Sequence, residues 1–366
     1  MDPPYTVDAD IARASTRPPA FDRDERAWHA VRERVFARSW QWIGDLADVA
    51  EPRSLAPREL LPGLLGEPLL LARDGDGTLR CLSNVCTHRG NLLVHAPCRA
   101  GEIRCGYHAR RFDLAGRMAF MPEFAGAHGF PSPSDDLPRV AMGTLAGFAF
   151  ASLDPPAPLE ACVDGVAACL DAMPVGRLSH DASRDRDFEV AAHWALYVEN
   201  YLEGFHIPFV HRDLARAIDQ TSYATTLHRY ANVQVARAKP GVPAFAGAAP
   251  GEAPVAAYYW WVFPNLMVNV YPWGLSVNLV LPQSPERTRV AFRTYVWDAT
   301  ALDRGAGASL DVVEHEDERI VEAVQRGVRS RLFRQGRYSP ARERGVHHFH
   351  RLLGEFLAAP VSADRP

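Results

Sequence analysis

Two short segments of the chain hold the residues best suited to chemistry. Cys86-Thr87-His88 is followed, after sixteen intervening residues, by Cys105-Gly106-Tyr107-His108. Two thiolates and two imidazoles suit either a tetrahedral zinc ion or a 2Fe–2S cluster with mixed ligation. Zinc sites of this composition usually pair Cys with Cys and His with His. Here each segment supplies one of each, which favours the cluster. Imidazole ligation on one iron raises the reduction potential above that of an all-Cys cluster. Cys81, Cys98, Cys162, Cys169 and His95 match no ligand position and read as ordinary side chains.

A second constellation lies in Glu203-Gly204-Phe205-His206-Ile207-Pro208-Phe209-Val210-His211. On an ideal helix, positions 206 and 211 point about 140° apart, too far for one ion. Pro208 predicts a helix break between them that lets His211 swing back. Two histidines and one carboxylate with open positions make a non-haem Fe(II) centre that activates oxygen. Two core or surface histidines without a metal are the alternative. A helix expected over 309–334, with Ser309 as N-cap and Asp311 in its first turn, offers the carboxylate. Leu310, Val313, Ile320, Val321, Val324 and Val328 form one stripe, with Asp317 near its middle. Glu314 and Glu316 fall just beyond its edges, while Glu318 and Glu322 face the polar side. A carboxylate aimed into a core needs a strong partner, either a cation or an arginine.

The elements that must carry these residues are legible in outline. Residues 22–39 read as an amphipathic helix with Trp28, Val31, Val35 and Phe36 on one face. From 41 to 155 short strands alternate with turns. Leu69–Leu71 and Leu79–Leu82 flank Asp74-Gly75-Asp76-Gly77, Phe112–Leu114 precedes Ala115-Gly116, and Phe148–Leu153 ends the run before Pro155-Pro156. Beyond lie a helical region over 194–218, strands near 223–237, 257–263, 266–271, 275–281 and 288–297, and helices over 309–334 and 340–358. The expected fold class is α+β: a small antiparallel β domain and a larger domain with helices packed on an antiparallel sheet. The expected division is 1–40, an N-terminal helical segment packing on the catalytic domain; 41–155, the cluster domain; and 156–366, the catalytic domain. Tyr259, Trp261 and Phe263 share one strand face, and Tyr271 and Trp273 follow. These rings are core, a cage for a quaternary ammonium, or a stacking surface for an aromatic substrate.

Composition excludes several classes. The 366 residues are 47 % hydrophobic and 23 % charged, the mix of a globular protein. A formal net charge of −4 argues against nucleic-acid binding. Of 40 basic residues only Lys239 is lysine, which reads as codon usage of a GC-rich genome. The longest apolar run, Val255 to Phe263, is too short to span a bilayer. The start shows no secretory signal pattern, so a cytoplasmic protein without membrane attachment is expected. Gly305-Ala306-Gly307-Ala308-Ser309 lacks the spacing of a dinucleotide loop.

The C-x-H and C-x-x-H segments are the signature of the Rieske family, and from about residue 22 onward the chain resembles Rieske non-haem iron oxygenase α subunits. The resemblance implies one 2Fe–2S cluster per chain, with Cys86 and Cys105 on one iron and His88 and His108 on the other. It further implies one mononuclear Fe(II) per chain. The family pattern acid-x-x-His-x4-His matches Glu203, His206 and His211. The third ligand precedes Val-Gln-Arg-Gly, which carries the role to Asp317, with Glu316 the fallback, ahead of Val324-Gln325-Arg326-Gly327. Glu203 is then the bridging acid between His206 and His108 of a neighbouring subunit in a homotrimer. A separate reductase or ferredoxin is implied, delivering electrons from NAD(P)H, with O2 and a small molecule as substrates. Where family members continue His-Gly-Trp, this chain has His108-Ala109-Arg110-Arg111. Asn200-Tyr201-Leu202-Glu203-Gly204, Phe263-Pro264-Asn265, Asn278-Leu279-Val280-Leu281-Pro282 and His347-His348-Phe349-His350 resemble the choline monooxygenase-like branch, which implies a quaternary ammonium substrate. Aromatic-ring hydroxylation is the alternative, and a non-enzymatic zinc or electron-transfer protein is the rival class. His347, His348 and His350 read as part of a solvated C-terminal helix.

Overall fold

The computed structural model describes residues 6–246, 251–308 and 310–360. The chain divides into two compact units, Ala37–Leu159 in one and the flanking segments in the other.

In the first unit every strand pairing is antiparallel. A seven-stranded sheet runs in the order Gln41–Asp45, Phe148–Ser152, Arg139–Leu145, Leu79–Ser83, Glu67–Arg73, Ser54–Leu60 and Cys98–Arg99. Ile103–Arg104, Arg111–Phe112 and Met118–Phe120 form a separate three-stranded sheet. The hairpin expected at Asp74 is present, with Leu71 opposite Cys81. Its turn is tied by the Asp74 carboxylate, which accepts from the backbone N–H groups of Asp76 and Thr78. Alternation along Glu67–Arg73 serves two cores. Leu70 packs with Cys86, Cys105 and Phe112, whereas Leu69 and Leu71 pack with Ile43 and Ala149.

The second unit is built on an eight-stranded antiparallel sheet. Its order is Ser179–His180, Arg287–Val296, Gly274–Ser284, Leu266–Tyr271, Val255–Val262, Ala231–Ala238 and Ile218–Leu227, with Arg186–Val190 also pairing on Arg287–Val296. Long aromatic-rich strands favour this pleated, buried surface. Among the described residues no helix is long and apolar enough to cross a membrane.

Several helices differ from expectation. The N-terminal α-helix covers only Glu25–Arg34, started by Asp24, whose side chain accepts from the Arg26 N–H, and flanked by 3-10 turns. The 194–218 region is three helices: Trp194–Tyr201, Ile207–Val210 and Arg212–Ala217. Pro208 does not break them. It occupies the first turn of Ile207–Val210, where its missing N–H has no helical partner to lose. The breaks fall at Leu202–Gly204 and at His211, which has φ −103° and ψ 80°.

The acidic helix covers Leu310–Gly327, and the proposed cap Ser309 lies outside the described residues. Its buried face is not the drawn stripe. Ile320 and Val324 are exposed, while Glu314, Val321 and Gln325 are buried. The polar pair is buried because it is bonded: Glu314 accepts from the Tyr197 hydroxyl, and the Gln325 carbonyl accepts from the His193 N–H. The last helix, Arg344–Ala358, is not solvated at its histidines. His347 and His350 are buried, and His350 bridges Glu199 and Tyr338.

Candidate metal centres

The two Cys/His segments fold as the same turn used twice. The Cys86 N–H donates to the Asn91 carbonyl and the Gly90 N–H returns to the Cys86 carbonyl. Likewise the Cys105 N–H donates to the Arg110 carbonyl and the Ala109 N–H returns to the Cys105 carbonyl. The closing residue is left-handed in both, with φ 69° at Gly90 and 58° at Ala109.

These turns bring all four residues together. Cys86 and Cys105 are buried and hydrogen-bond each other, and the His88 and His108 rings lie 4.8 Å apart, edge to face. Burial pushes the Cys86 thiol up. At Cys105 burial is outweighed by donors, among them the Tyr107 N–H 3.4 Å from Sγ, and the thiol is lowered. Burial and the neighbouring His108 lower the His88 pKa. The buried His108 Nδ1 has no hydrogen-bond partner among the described residues. An orphaned imidazole nitrogen beside two close thiols and a second imidazole fits a metal cluster.

Arg110 is buried behind this group. Its guanidinium donates to the Asp135 side chain at 2.8 Å and to the Asp135 carbonyl at 2.9 Å, and it faces the Phe112 and Phe130 rings. Arg111, by contrast, is surface-facing: it reaches Glu102 at 3.4 Å and lies over the Phe120 ring, 4.4 Å from its centroid.

The second centre joins two elements. His206 precedes the Ile207–Val210 turn, His211 follows it, and Asp317 projects from Leu310–Gly327. His206 Nε2 lies 3.1 Å from His211 Nε2, which is 3.0 Å from Asp317 Oδ1. His206 Nε2 is 3.5 Å from the same oxygen. Ligands at right angles, each about 2.1 Å from one ion, sit about 3 Å apart, so these separations fit a single metal.

The back nitrogens explain the tautomers. Glu203 Oε1 is 2.6 Å from His206 Nδ1, and Glu316 Oε2 is 2.7 Å from His211 Nδ1. A carboxylate can only accept, so each Nδ1 carries the hydrogen and each Nε2 presents a bare lone pair. Two imidazole nitrogens and a carboxylate oxygen converging on one point suit a cation. Burial alone would lower the His211 pKa, but hydrogen bonds to the Asp317 and Glu316 carboxylates raise it. Among the described residues His206, His211 and Asp317 are gathered closely enough to hold one ion.

The geometry places Glu316 on the back of His211 rather than among the converging atoms. Asn200 Nδ2 donates to Asp317 Oδ1 at 2.7 Å and orients it. Neither Asn200 nor the Glu316 contact was foreseen from the sequence. Glu316 carried the right signal, an acid one residue from Asp317, but its role depends on where His211 turns.

A cavity of about 100 Å³ opens beside the triad, the size class of a small ligand. Tyr197, Tyr201, Tyr223, Tyr259, Tyr271 and Phe292 supply its rings. Of the strand aromatics noted in sequence, Tyr259 and Tyr271 line it. Trp261 and Phe263 pack instead on Phe349 and Phe356 of the last helix, and Trp273 stacks behind Tyr271. Tyr201 is held by its hydroxyl, 2.7 Å from Asn269 Oδ1, and Tyr223 by its own, 3.2 Å from Gln234 Oε1. Glu314 also lines this cavity. It is 3 % exposed, accepts from the Tyr197 hydroxyl at 2.6 Å, and burial pushes its carboxyl up to about 8.

Comparison with known families agrees with both centres. Residues 39–131 match the Rieske [2Fe-2S] domain, and residues 175–359 match the ring hydroxylating alpha subunit (catalytic domain). The chain belongs to the ring-hydroxylating alpha-subunit family. It is the oxygenase component of a Rieske oxygenase, an oxidoreductase whose two domains imply a 2Fe–2S cluster and a mononuclear iron and which works with O2 and a separate reductase.

Among its relatives is the carnitine monooxygenase oxygenase subunit of Escherichia coli, 32 % identical over 96 % of each chain. Another is the chloroplastic choline monooxygenase of Arabidopsis thaliana, 28 % identical over 94 % of this chain and 83 % of that one. The solved structure of a quaternary ammonium Rieske monooxygenase, described with carnitine oxidation and inter-subunit electron transfer, is 26 % identical. It covers 96 % of this chain and 99 % of its own at a TM-score of 0.78. These likenesses place the chain with the choline monooxygenase-like branch. Naphthalene 1,2-dioxygenase from Rhodococcus sp. shares the fold, with a TM-score of 0.71 at 20 % identity over 96 % of this chain and 95 % of its own.

Proposed function

We propose that this chain oxidises a small quaternary ammonium compound. The observation that carries the reading is the ring-lined cavity opening on the His206–His211–Asp317 triad. Aromatic faces attract a quaternary ammonium through cation–π contact, and the named relatives act on carnitine and choline.

In this reading Cys86, Cys105, His88 and His108 hold one cluster per chain, and His206, His211 and Asp317 hold one Fe(II) per chain. With both bound, the site supplies reductive oxygen activation, R–H + O2 + 2 e⁻ + 2 H⁺ giving R–OH + H2O. The chain's own residues do the rest. Glu203 and Glu316 fix the two imidazoles by their Nδ1 hydrogens, and Asn200 fixes the Asp317 carboxylate. The tyrosine cage excludes bulk water and holds the substrate beside the triad.

Glu203 also links the centres in this reading. Its Oε2 accepts from the backbone N–H of His206 at 3.0 Å, which anchors the carboxylate. Phe205 and Phe209, both exposed, flank this segment and offer an apolar rim to a neighbouring copy. A closed trimer is the assembly that brings each copy's cluster to the next copy's Glu203. The domains run 41–155 for the cluster and 156–366 for the iron, with 1–40 packed on the latter. The site is cytoplasmic, where a reductase or ferredoxin fed by NAD(P)H supplies electrons.

The test is reconstitution with such a reductase, following O2 uptake and product formation against quaternary ammonium compounds and simple aromatics. Oxidation of an ammonium substrate, lost in Asp317→Ala with the cluster spectrum intact, is the expected result. Turnover of aromatics alone would assign the chain to ring hydroxylation.

A further inference from the structure

We propose that Glu314 is the counter-ion for the substrate's ammonium group, and that the cavity selects net cations over carboxylate-bearing betaines. The inference rests on the ammonium reading above and narrows it.

The charge inventory of the cavity is one-sided. Among the described residues its lining includes Glu203, Glu314 and Asp317 but no lysine or arginine. The two histidines cannot substitute, because their Nδ1 hydrogens are taken by Glu203 and Glu316 and their Nε2 atoms converge on Asp317. The remaining polar lining is neutral: asparagine, glutamine and tyrosine. Away from the metal ligands, a substrate carboxylate would be desolvated beside Glu203 and Glu314 with no lysine or arginine to oppose it, which is costly.

Glu314 has the opposite need. Tyr197 satisfies Oε2, but the buried Oε1 has no hydrogen-bond partner among the described residues. The group sits in the cavity wall one helical turn before Asp317, so an ammonium beside the iron site lies within reach of it. A quaternary ammonium has no N–H to donate, and its charge is met by an anion and by ring faces together. Tyr201, Tyr223, Tyr259 and Tyr271 provide those faces around the same space. Burial holds the carboxyl up to about 8, and a cation at Oε1 would offset that penalty.

Calorimetry on the iron- and cluster-loaded enzyme, without reductant so that no turnover occurs, tests this. The probes are choline, tetramethylammonium, carnitine, γ-butyrobetaine and 3,3-dimethyl-1-butanol, the neutral carbon analogue of choline. Choline is expected to bind at least ten-fold more tightly than either betaine and than the neutral analogue. Glu314→Gln, which keeps the Tyr197 contact, should lose at least ten-fold for choline and leave the neutral analogue unchanged.

Carnitine binding as tightly as choline would overturn the selection while leaving the ammonium reading intact. Undiminished choline binding by Glu314→Gln would remove Glu314 as counter-ion. The ligand comparison on the unaltered enzyme decides the selectivity even if the variant does not fold. Binding of a neutral aromatic with no ammonium compound bound would overturn the ammonium reading itself, and this inference with it.

Discussion

Glu316 holds His211 from behind as Glu203 holds His206: carboxylate oxygens lie 2.7 Å and 2.6 Å from the two Nδ1 atoms. The pairing makes Glu316 a positioning residue for the iron site. Such partners typically set metal affinity within a factor of 10 to 100. Glu316→Ala is therefore expected to weaken iron binding by about that factor, read by chelator competition, while the cluster spectrum stays the same. Unchanged iron retention would show that His211 is held by its fold alone.

Glu203→Gln separates binding from electron delivery. The amide keeps an acceptor for the His206 Nδ1 hydrogen but loses the charge that the proposed link to a neighbouring copy's cluster relies on. Both metals should remain, the cluster should reduce at its normal rate, and reoxidation of the cluster in the presence of substrate and O2 should slow by orders of magnitude. Stopped-flow absorbance checks this, and an undiminished rate would rule out Glu203 as the link.

Arg110 stands where family members carry tryptophan, and its buried charge acts on Cys86 and His88. A nearby positive charge favours the reduced cluster. Arg110→Gln is expected to lower the reduction potential by on the order of tens of millivolts. Arg111→Gln, at the surface, should barely move it. A redox titration of both variants decides, and equal potentials would dismiss the effect.

Ala109 adopts φ 58°, a conformation glycine reaches without strain. Ala109→Gly relieves that strain but loosens the unfolded chain. The net expected gain is up to about 1 kcal/mol in urea unfolding of the loaded protein. A loss of stability would mean the Ala109 methyl makes contacts that outweigh its strain.

Glu199 gives a defined acid sensitivity. Burial works against its charge, but Arg17 at 2.7 Å and His350 at 2.9 Å bring its pKa down from 4.5 to about 2. A carboxyl depressed by folding stabilises the protein above its unfolded pKa, and that contribution is lost as pH falls from about 4.5 towards 2. The size is about 3 kcal/mol. Melting temperature against pH should fall more steeply below about 4.5 in the native protein than in Glu199→Gln. Parallel curves would refute the assignment.

The strands and the clustering of the Cys/His side chains were legible because local patterns determine them: alternation for the sheets, Cys/His spacing for the paired turns. Asp317 was legible for a partly mistaken reason. The apolar stripe drawn on its helix includes Ile320 and Val324, which are exposed, and omits Glu314 and Gln325, which are buried. Periodicity cannot see a polar side chain whose partner, Tyr197 or the His193 N–H, comes from another element. The same blindness put His350 in solvent, although Glu199 and Tyr338 enclose it.

The spacing of the triad along the chain sets an order of assembly during synthesis. Asp317 follows His211 by 106 residues, and the six sheet strands from Ile218 to Val296 lie between them. At elongation speeds of about 5–20 residues per second, the histidine pair waits about 5–20 seconds for the carboxylate. An emerging chain therefore presents the two histidines well before the third proposed ligand, and the three can meet only after the strands between them have been made.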